Sequence, residues 1–282
     1  MNIEEKVCYI NKEIEREIEK ETAEKTKISK AEEHLVLRKS KRYRPLLTMS
    51  VYEMLGGNFK NARNSAVGIE YLHSSSLILD DLPCMDNAEM RRGEKTVHCM
   101  YGENTAILTA FSLFNKGREL IAQDIFAHPL SIENRERASK FLSDSISKML
   151  YGQELDLKQK KTDKELRDSI FQKNRAIHFS CVFPYHLLKK SSACRETLDK
   201  IGVDLSFAYQ LFDDLRDVRY KPQEVGKPTL VEAGKRTTVY RWGEETVEKE
   251  LEKRKKRIIK NLRAIQKDSE LEWLVEQMLS AP

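Results

Sequence analysis

Ile3, Val7, Ile10, Ile14 and Ile18 recur at spacings of four, three, four and four, a rhythm that places them on one face of a helix. The residues between them are largely charged and form its solvated face. Helical patterning returns over 45–55, 62–82, 104–125, 131–152, 164–190, 195–218 and 240–280, separated by short breakers such as Gly56-Gly57 and Pro83. Seven or eight helices follow from this reading, with no segment of alternating strand character. Eleven glycines and seven prolines in 282 residues are too few for the turns of a barrel or sandwich. The sequence therefore predicts an all-α fold. With no internal repeat and no Ser/Gly/Pro linker, residues 1–282 read as a single domain.

Fifty basic and forty-five acidic side chains leave a net charge of +5, too mild to demand a nucleic-acid partner. The run Glu245 to Lys260 reads as a solvated helix laced by i, i+4 ion pairs rather than a binding tail. Cys8, Cys84, Cys99, Cys181 and Cys194 are odd in number and contain no Cys-x-x-Cys pair, which argues against a disulfide framework and a zinc site. Neither a secretory signal nor an apolar run long enough to span a membrane is readable. The expectation is a cytoplasmic protein.

Two acidic clusters carry the chemistry. Asp80, Asp81 and Asp86 directly follow the apolar helix residues Ile69 to Leu79, with Pro83 breaking the chain between them. Mg²⁺ prefers hard oxygen ligands and is commonly held by one or two carboxylates plus substrate phosphates. An isolated Asp-Asp pair also reads as an acidic helix end packed against lysines. A second cluster about 130 residues later, Asp213, Asp214 and Asp217, repeats the design. Asp213 and Asp217 share a helix face, where like charges cost about 0.2–0.5 kcal/mol unless a cation relieves them. The two clusters together point to two walls of one site for metal and diphosphate. Basic groups supply the complement: Lys41-Arg42-Tyr43-Arg44-Pro45 before an apolar helix start, and Arg91-Arg92-Gly93 after Asp86. His73 lies two helical turns before Asp80 and shares its direction, which leaves it open as a structural residue or a ligand.

These residues carry a family resemblance. The string from His73 to Asp86, followed by Arg91-Arg92-Gly93 and Thr96-Val97-His98, resembles the first aspartate-rich motif of the trans-isoprenyl diphosphate synthases, the polyprenyl synthetase family. Tyr209-Gln210-Leu-Phe-Asp213-Asp214-Leu-Arg-Asp217 resembles the second. Lys41 to Pro45 resembles the family's basic motif, and Gly152-Gln153-Glu-Leu-Asp156-Leu157 its Gly-Gln-x-x-Asp-Leu segment. All occur in the family's order over roughly residues 35–245.

The resemblance implies an all-α, isoprenoid-synthase-type bundle around a deep central cavity, a homodimer and three Mg²⁺ ions. It implies that Asp80, Asp81, Asp86, Asp213, Asp214 and Asp217 bind the metal and, through it, an allylic diphosphate. Arg91, Lys173 and Lys227 would contact that diphosphate, and Lys41, Arg44, His73 and Arg92 would hold isopentenyl diphosphate. Gln210 would flank the reacting allylic end. The implied reaction is ionisation of the allylic diphosphate, attack by the isopentenyl double bond and loss of a proton, with the released diphosphate as base. The alternatives are a class I terpene cyclase on the same fold and a non-catalytic partner subunit of a prenyl synthase.

Several positions depart from the family pattern. Lys39-Ser40 replace Gly-Gly, Ala88-Glu89 replace Asp-Asp, and Lys173-Asn174 replaces Lys-Thr. After Gly226-Lys227-Pro228 the family's Gly-x-Asp is absent, and Leu279-Ser280-Ala281-Pro282 stands where some members have basic residues. Phe111 stands where the family has Asp, and an aromatic buried there would reshape the cavity wall. Ser75 and Ser76, five and four residues before the first Asp, are the resemblance's chain-length positions. Both are small, and with the Pro83-Cys84 insertion they resemble the bacterial and plant geranylgeranyl type. Phe111 or Phe114 deeper in the tunnel would leave farnesyl diphosphate open, and ordinary core packing is their other reading.

Overall fold

The computed structural model describes residues 3–20, 26–158, 160–188, 190–219, 238–267 and 269–280. Thirteen α-helices lie among them. α1 (Ile3–Lys20), α2 (Lys27–Val36), α3 (Tyr43–Met54) and α4 (Arg63–Asp80) lead to a short β-hairpin, β1 (Met90–Arg91) with β2 (Glu94–Lys95). There follow α5 (Val97–Tyr101), α6 (Glu103–Ala127), α7 (Ile132–Leu157), α8 (Asp163–Lys173), α9 (Arg175–Leu187) and α10 (Ser192–Arg219). The last three are α11 (Thr238–Trp242), α12 (Glu244–Ile265) and α13 (Glu270–Met278).

The apolar stripe of α1 is buried as its spacing predicts, with Ile10 and Ile14 fully enclosed. Helix α3 is buried on nearly all sides, in contact with α4 and α9. α10 packs along α9 and α12, and Leu46, Leu47, Ile177, Leu205 and Leu211 meet in the largest apolar cluster. α4 and α6 approach closely enough that a Cβ on Gly68 would stand 2.6 Å from the Gly117 carbonyl oxygen. Both glycines are therefore required by the crossing.

Some boundaries differ from the sequence reading. The span 164–190 is two helices, broken at Asn174, and 240–280 is three, with Gly243 in a left-handed conformation (φ 79°) between α11 and α12. α2 was not expected; Thr26 caps it by accepting from the Ser29 amide at 3.1 Å. The hairpin was not expected either, because two-residue strands are too short to show alternation. Its register pairs Met90 with Lys95 and Arg91 with Glu94, leaving Arg92 (φ 55°) and Gly93 (φ 80°) as the turn. Two positive φ values in a two-residue loop match the twist of the strands, and Arg92 accepts a conformation that normally favours glycine. The run 245–260 is helical with the expected pairs, Lys249 to Glu245 at 2.5 Å and Arg254 to Glu250 at 2.7 Å. Arg254 and Arg257 also reach across to Asp204 on α10.

Candidate active site

The first aspartate cluster lies at the C-terminus of α4, where the aligned peptide dipoles leave partial negative charge. A carboxylate is unfavourable there and a cation favourable. Burial raises the Asp80 carboxyl, Lys173 and Arg91 pull it back and Asp86 and Asp156 push it up, the balance standing at about 6. The turn that follows folds Asp86 back, its amide donating to the Asp80 carbonyl at 2.9 Å. Asp81 is 3% exposed and forked by Arg91, whose Nε donates to both carboxylate oxygens at 2.8 Å. Arg91, expected on the allylic diphosphate, is thus the counter-ion of an adjoining aspartate.

Lys173, the last residue of α8, donates to Asp156 Oδ2 at 2.7 Å. Its ammonium is held well above the usual lysine range by Asp156, Asp80 and Asp86, which outweigh burial. Gly152 makes this possible: a Cβ there would stand 2.3 Å from the Lys173 amide nitrogen, so only glycine lets α7 run so close. Asp156, one turn on, then meets the lysine. Asp156 belongs to the Gly-Gln-x-x-Asp-Leu segment, and its spacing from Gly152 is the local signal for this contact.

The second cluster is joined to the first through the residue after Lys173. Asn174 Nδ2 donates to Gln210 Oε1 at 3.0 Å, and Gln210 Nε2 donates to Asp214 Oδ1 at 2.8 Å. Asp214 is buried and accepts from the Thr238 amide at 2.8 Å and the Thr238 hydroxyl at 2.6 Å, so it anchors the start of α11. Burial raises its carboxyl to about 6 despite these donors. Asp213 accepts from Arg216 at 3.0 Å, and Asp217, one turn further, is 3% exposed. Asn174 and Thr238 were missed as members of this chain of hydrogen bonds, because no local pattern pairs residues so far apart.

The basic residues gather beside these carboxylates. Arg44 Nη1 lies 3.2 Å from His73 Nε2, and its guanidinium sits 5.9 Å above the Tyr209 ring, next to Gln210. Burial, then Arg44, Arg92, Arg91 and Arg42 hold His73 well below its ordinary pKa, so the imidazole is neutral and accepts from Arg44. Arg44 Nε and Arg92 Nη1 are buried without a hydrogen-bond partner. Arg42, in the same basic motif, points away. It is buried at φ 49° with Nη1 2.5 Å from Glu70, and it bonds Asn11 and the Val36 and Arg38 carbonyls. Lys41 is exposed, its ammonium 5.7 Å above the Tyr43 ring. Lys227 lies outside the described residues.

Ser75 is 3% exposed and donates to the Ala110 carbonyl on α6 at 2.8 Å, whereas Ser76 is partly open and donates to the His73 carbonyl. The expectation of a buried aromatic at 111 is corrected: Phe111 is 68% exposed on the face of α6 opposite Ala110 and Leu113. Helical geometry sends Ala110 toward α4 and turns its neighbour outward. A cavity of about 510 Å³ lies between α10 and α12, bordered by Phe212, Leu215, Arg216 and Leu279.

The residues fit an oxygen-ligated divalent cation bridged to phosphate: carboxylates at helix C-termini on one side, unpartnered guanidinium nitrogens on the other. Among the described residues no three metal-ligating side chains converge on one point. A polyprenyl synthetase family model matches residues 25–278. The chain belongs to that family. A geranylgeranyl diphosphate synthase of Pseudescherichia vulneris is 35% identical, over 82% of this chain and 76% of its own length. A geranyltransferase from Helicobacter pylori, solved with magnesium and isoprenyl diphosphate, is 27% identical with a TM-score of 0.78, covering 96% of this chain and 95% of that one. The fold is likewise that of a Legionella pneumophila geranyltransferase (23% identity, TM-score 0.85, 98% of this chain and 94% of that one). The activity of this polyprenyl synthetase is that of a short-chain prenyl diphosphate synthase.

Proposed function

We propose that the chain, as one domain, condenses isopentenyl diphosphate with an allylic diphosphate to a geranylgeranyl or farnesyl product, and does so as a Mg²⁺-dependent homodimer. The observation that carries this reading is the pair of anion addresses side by side. One is the carboxylate wall with Lys173; the other is Arg44, Arg92 and neutral His73, with buried nitrogens still lacking an acceptor. A cyclase on this fold has a single diphosphate to hold and no use for the second address. A partner subunit has no use for either.

Asp80, Asp86, Asp213 and Asp217 would hold Mg²⁺, three ions by the family resemblance, while Asp81 and Asp214 hold Arg91, Gln210 and Thr238 in place. When bound, the metal supplies Lewis-acid stabilisation of the departing diphosphate. Lys173 adds a fixed positive charge on the same side, desolvated and therefore strong. Asn174 keeps the Gln210 carbonyl oxygen engaged, which orients its amide beside the reacting end. Arg44 and Arg92 orient isopentenyl diphosphate so that its double bond meets the cationic carbon. Tyr209, under Arg44, closes the site with an aromatic face.

The homodimer reading is supported by α6 and α7, which expose Ile107 (40%), Leu108 (55%), Phe111 (68%) and Leu150 (58%). Large apolar side chains on two adjacent helices support a surface that pairs with a second copy. A reducing cytoplasmic setting accords with five free cysteines. No helix among the described residues is long and apolar enough to cross a membrane.

Diphosphate release measured with each substrate alone and with both tests the reading. Release only when isopentenyl and allylic diphosphates are present together, and only with Mg²⁺, is the expected result. Release from the allylic substrate alone would assign a cyclase instead.

A further inference from the structure

The hairpin that presents Arg92 is too small to hold its own shape. β1 and β2 contribute two residues each, far short of what a two-stranded ribbon needs for stability in water. Arg92 stands in its turn at φ 55°, a conformation that a non-glycine residue keeps only where its surroundings hold it. A Cβ on Gly93 would meet nothing within 4 Å, so packing does not steady the tip. The Arg91 side chain ties β1 to Asp81. That pair alone leaves β2 and the turn to be fixed by other contacts.

Arg38, just beyond the end of α2, makes them. Its Nη1 donates to the Arg91 carbonyl and its Nη2 to the Lys95 carbonyl, each at 2.9 Å, so one planar guanidinium spans both strands. Glu94 lies 3.5 Å from the same Nη2, and His34 Nε2 stands 2.9 Å from the Lys95 carbonyl. The Arg38 side chain is 8% exposed, which makes this a desolvated, charge-assisted clamp rather than a solvated surface contact. Its backbone is fixed from behind. The Arg38 carbonyl accepts from Arg42 Nη2 at 3.2 Å, and Arg42 is paired with Glu70 on α4.

Resting on the proposed function above, we propose that Arg38 is a positioning residue of the isopentenyl diphosphate address, clamping both strands of the hairpin and so holding Arg92 in its binding conformation. Arg92 offers a buried Nη1 that has no hydrogen-bond partner, and the clamp keeps that nitrogen aimed. Arg38 acts through Arg92 and touches no substrate. Arg42, which points away from the site, serves it as the support of Arg38.

Steady-state elongation by the full chain with Mg²⁺, each substrate varied in turn, tests this. Arg38→Gln is expected to raise the KM for isopentenyl diphosphate about tenfold, the effect of a binding-competent hairpin reduced to about one-tenth of the population. Its kcat and its KM for the allylic substrate change little, because the Asp81–Arg91 pair remains. Arg38→Lys recovers little of the loss, since an ammonium cannot span two carbonyls in one plane. Arg92→Gln raises the same KM, and adding Arg38→Gln to it raises that KM no further, as expected of two residues acting through one contact. A wild-type KM in Arg38→Gln, an equal rise in the allylic KM or full additivity in the double variant overturns the proposal and leaves the proposed function standing. A wild-type chain that does not elongate overturns both. If circular dichroism shows Arg38→Gln unfolded, Arg38→Lys takes its place in the same comparison, and a wild-type KM in it overturns the proposal.

Discussion

Asn174 donates its side-chain amide to Gln210 Oε1 at 3.0 Å, immediately after Lys173 turns its ammonium to Asp156 at 2.7 Å. These consecutive residues, at the break between α8 and α9, face the two aspartate clusters separately. The helix break is therefore what brings clusters about 130 residues apart into one electrostatic unit. A continuous helix over 164–190 would turn Lys173 and Asn174 by about 100° per residue around one axis and lose that division.

Removing a carboxylate from either wall tests whether both serve one reaction. Asp80→Ala and Asp213→Ala are each expected to lower kcat by about a thousandfold, in line with loss of metal-assisted charge stabilisation. Far-ultraviolet circular dichroism should stay that of the wild type. Undiminished turnover in either variant would remove that cluster from the site.

The two serines before Asp80 are expected to separate under the same substitution. Ser76 is partly open, so Ser76→Phe shortens the main product with little change in melting temperature. Ser75 is buried against the Ala110 carbonyl, so Ser75→Phe overpacks the α4–α6 contact and costs about 1–3 kcal/mol of stability. Product mass and thermal unfolding measured on both variants check this, and an unchanged product from Ser76→Phe would place the tunnel floor elsewhere.

Leu108 and Phe111 share one face of α6, at 55% and 68% exposure. The double variant Leu108→Glu, Phe111→Glu is expected to be monomeric in analytical ultracentrifugation while retaining its helical spectrum. A wild type that sediments as a monomer would contradict the homodimer.

His186 gives the stability a pH dependence remote from the reaction. Burial, then Arg195 and Arg137, lower its pKa to about 4, against about 6.5 when unfolded. Between those values the unfolded chain binds more protons, so stability is fully present above about 6.5 and is lost as pH falls toward 4. The melting temperature should drop over that window, and His186→Phe, which keeps the ring against Phe141 at 4.7 Å, should flatten part of the drop. An identical slope in the variant would assign the dependence to other groups.

Much of the chemistry was legible in the sequence, because it is written in residue types at short spacings: Asp80 with Asp86, Asp213 with Asp217, Arg44 near Lys41. The helical fold was legible from period and from the scarcity of turn residues. What escaped depends on distance in sequence or on single backbone angles. The pairing of Arg42 with Glu70 removes one motif arginine from the substrate side, and nothing local to residue 42 announces a glutamate 28 positions later. Asp156 reaches Lys173 only because Gly152 has no Cβ, and Phe111 faces outward because Ala110 faces in. The hairpin that presents Arg92 rests on two positive φ values rather than on any strand pattern.

The central claim is elongation, and the masses of the products test it most directly. The purified chain with Mg²⁺ and isopentenyl diphosphate is given dimethylallyl, geranyl or farnesyl diphosphate in turn, and all products are resolved by mass spectrometry. Linear diphosphates longer than each accepted starter by whole isoprene units, ending at the geranylgeranyl or farnesyl length, are the result this account predicts. Cyclic hydrocarbons from an allylic substrate alone, or no product from any starter, would contradict it.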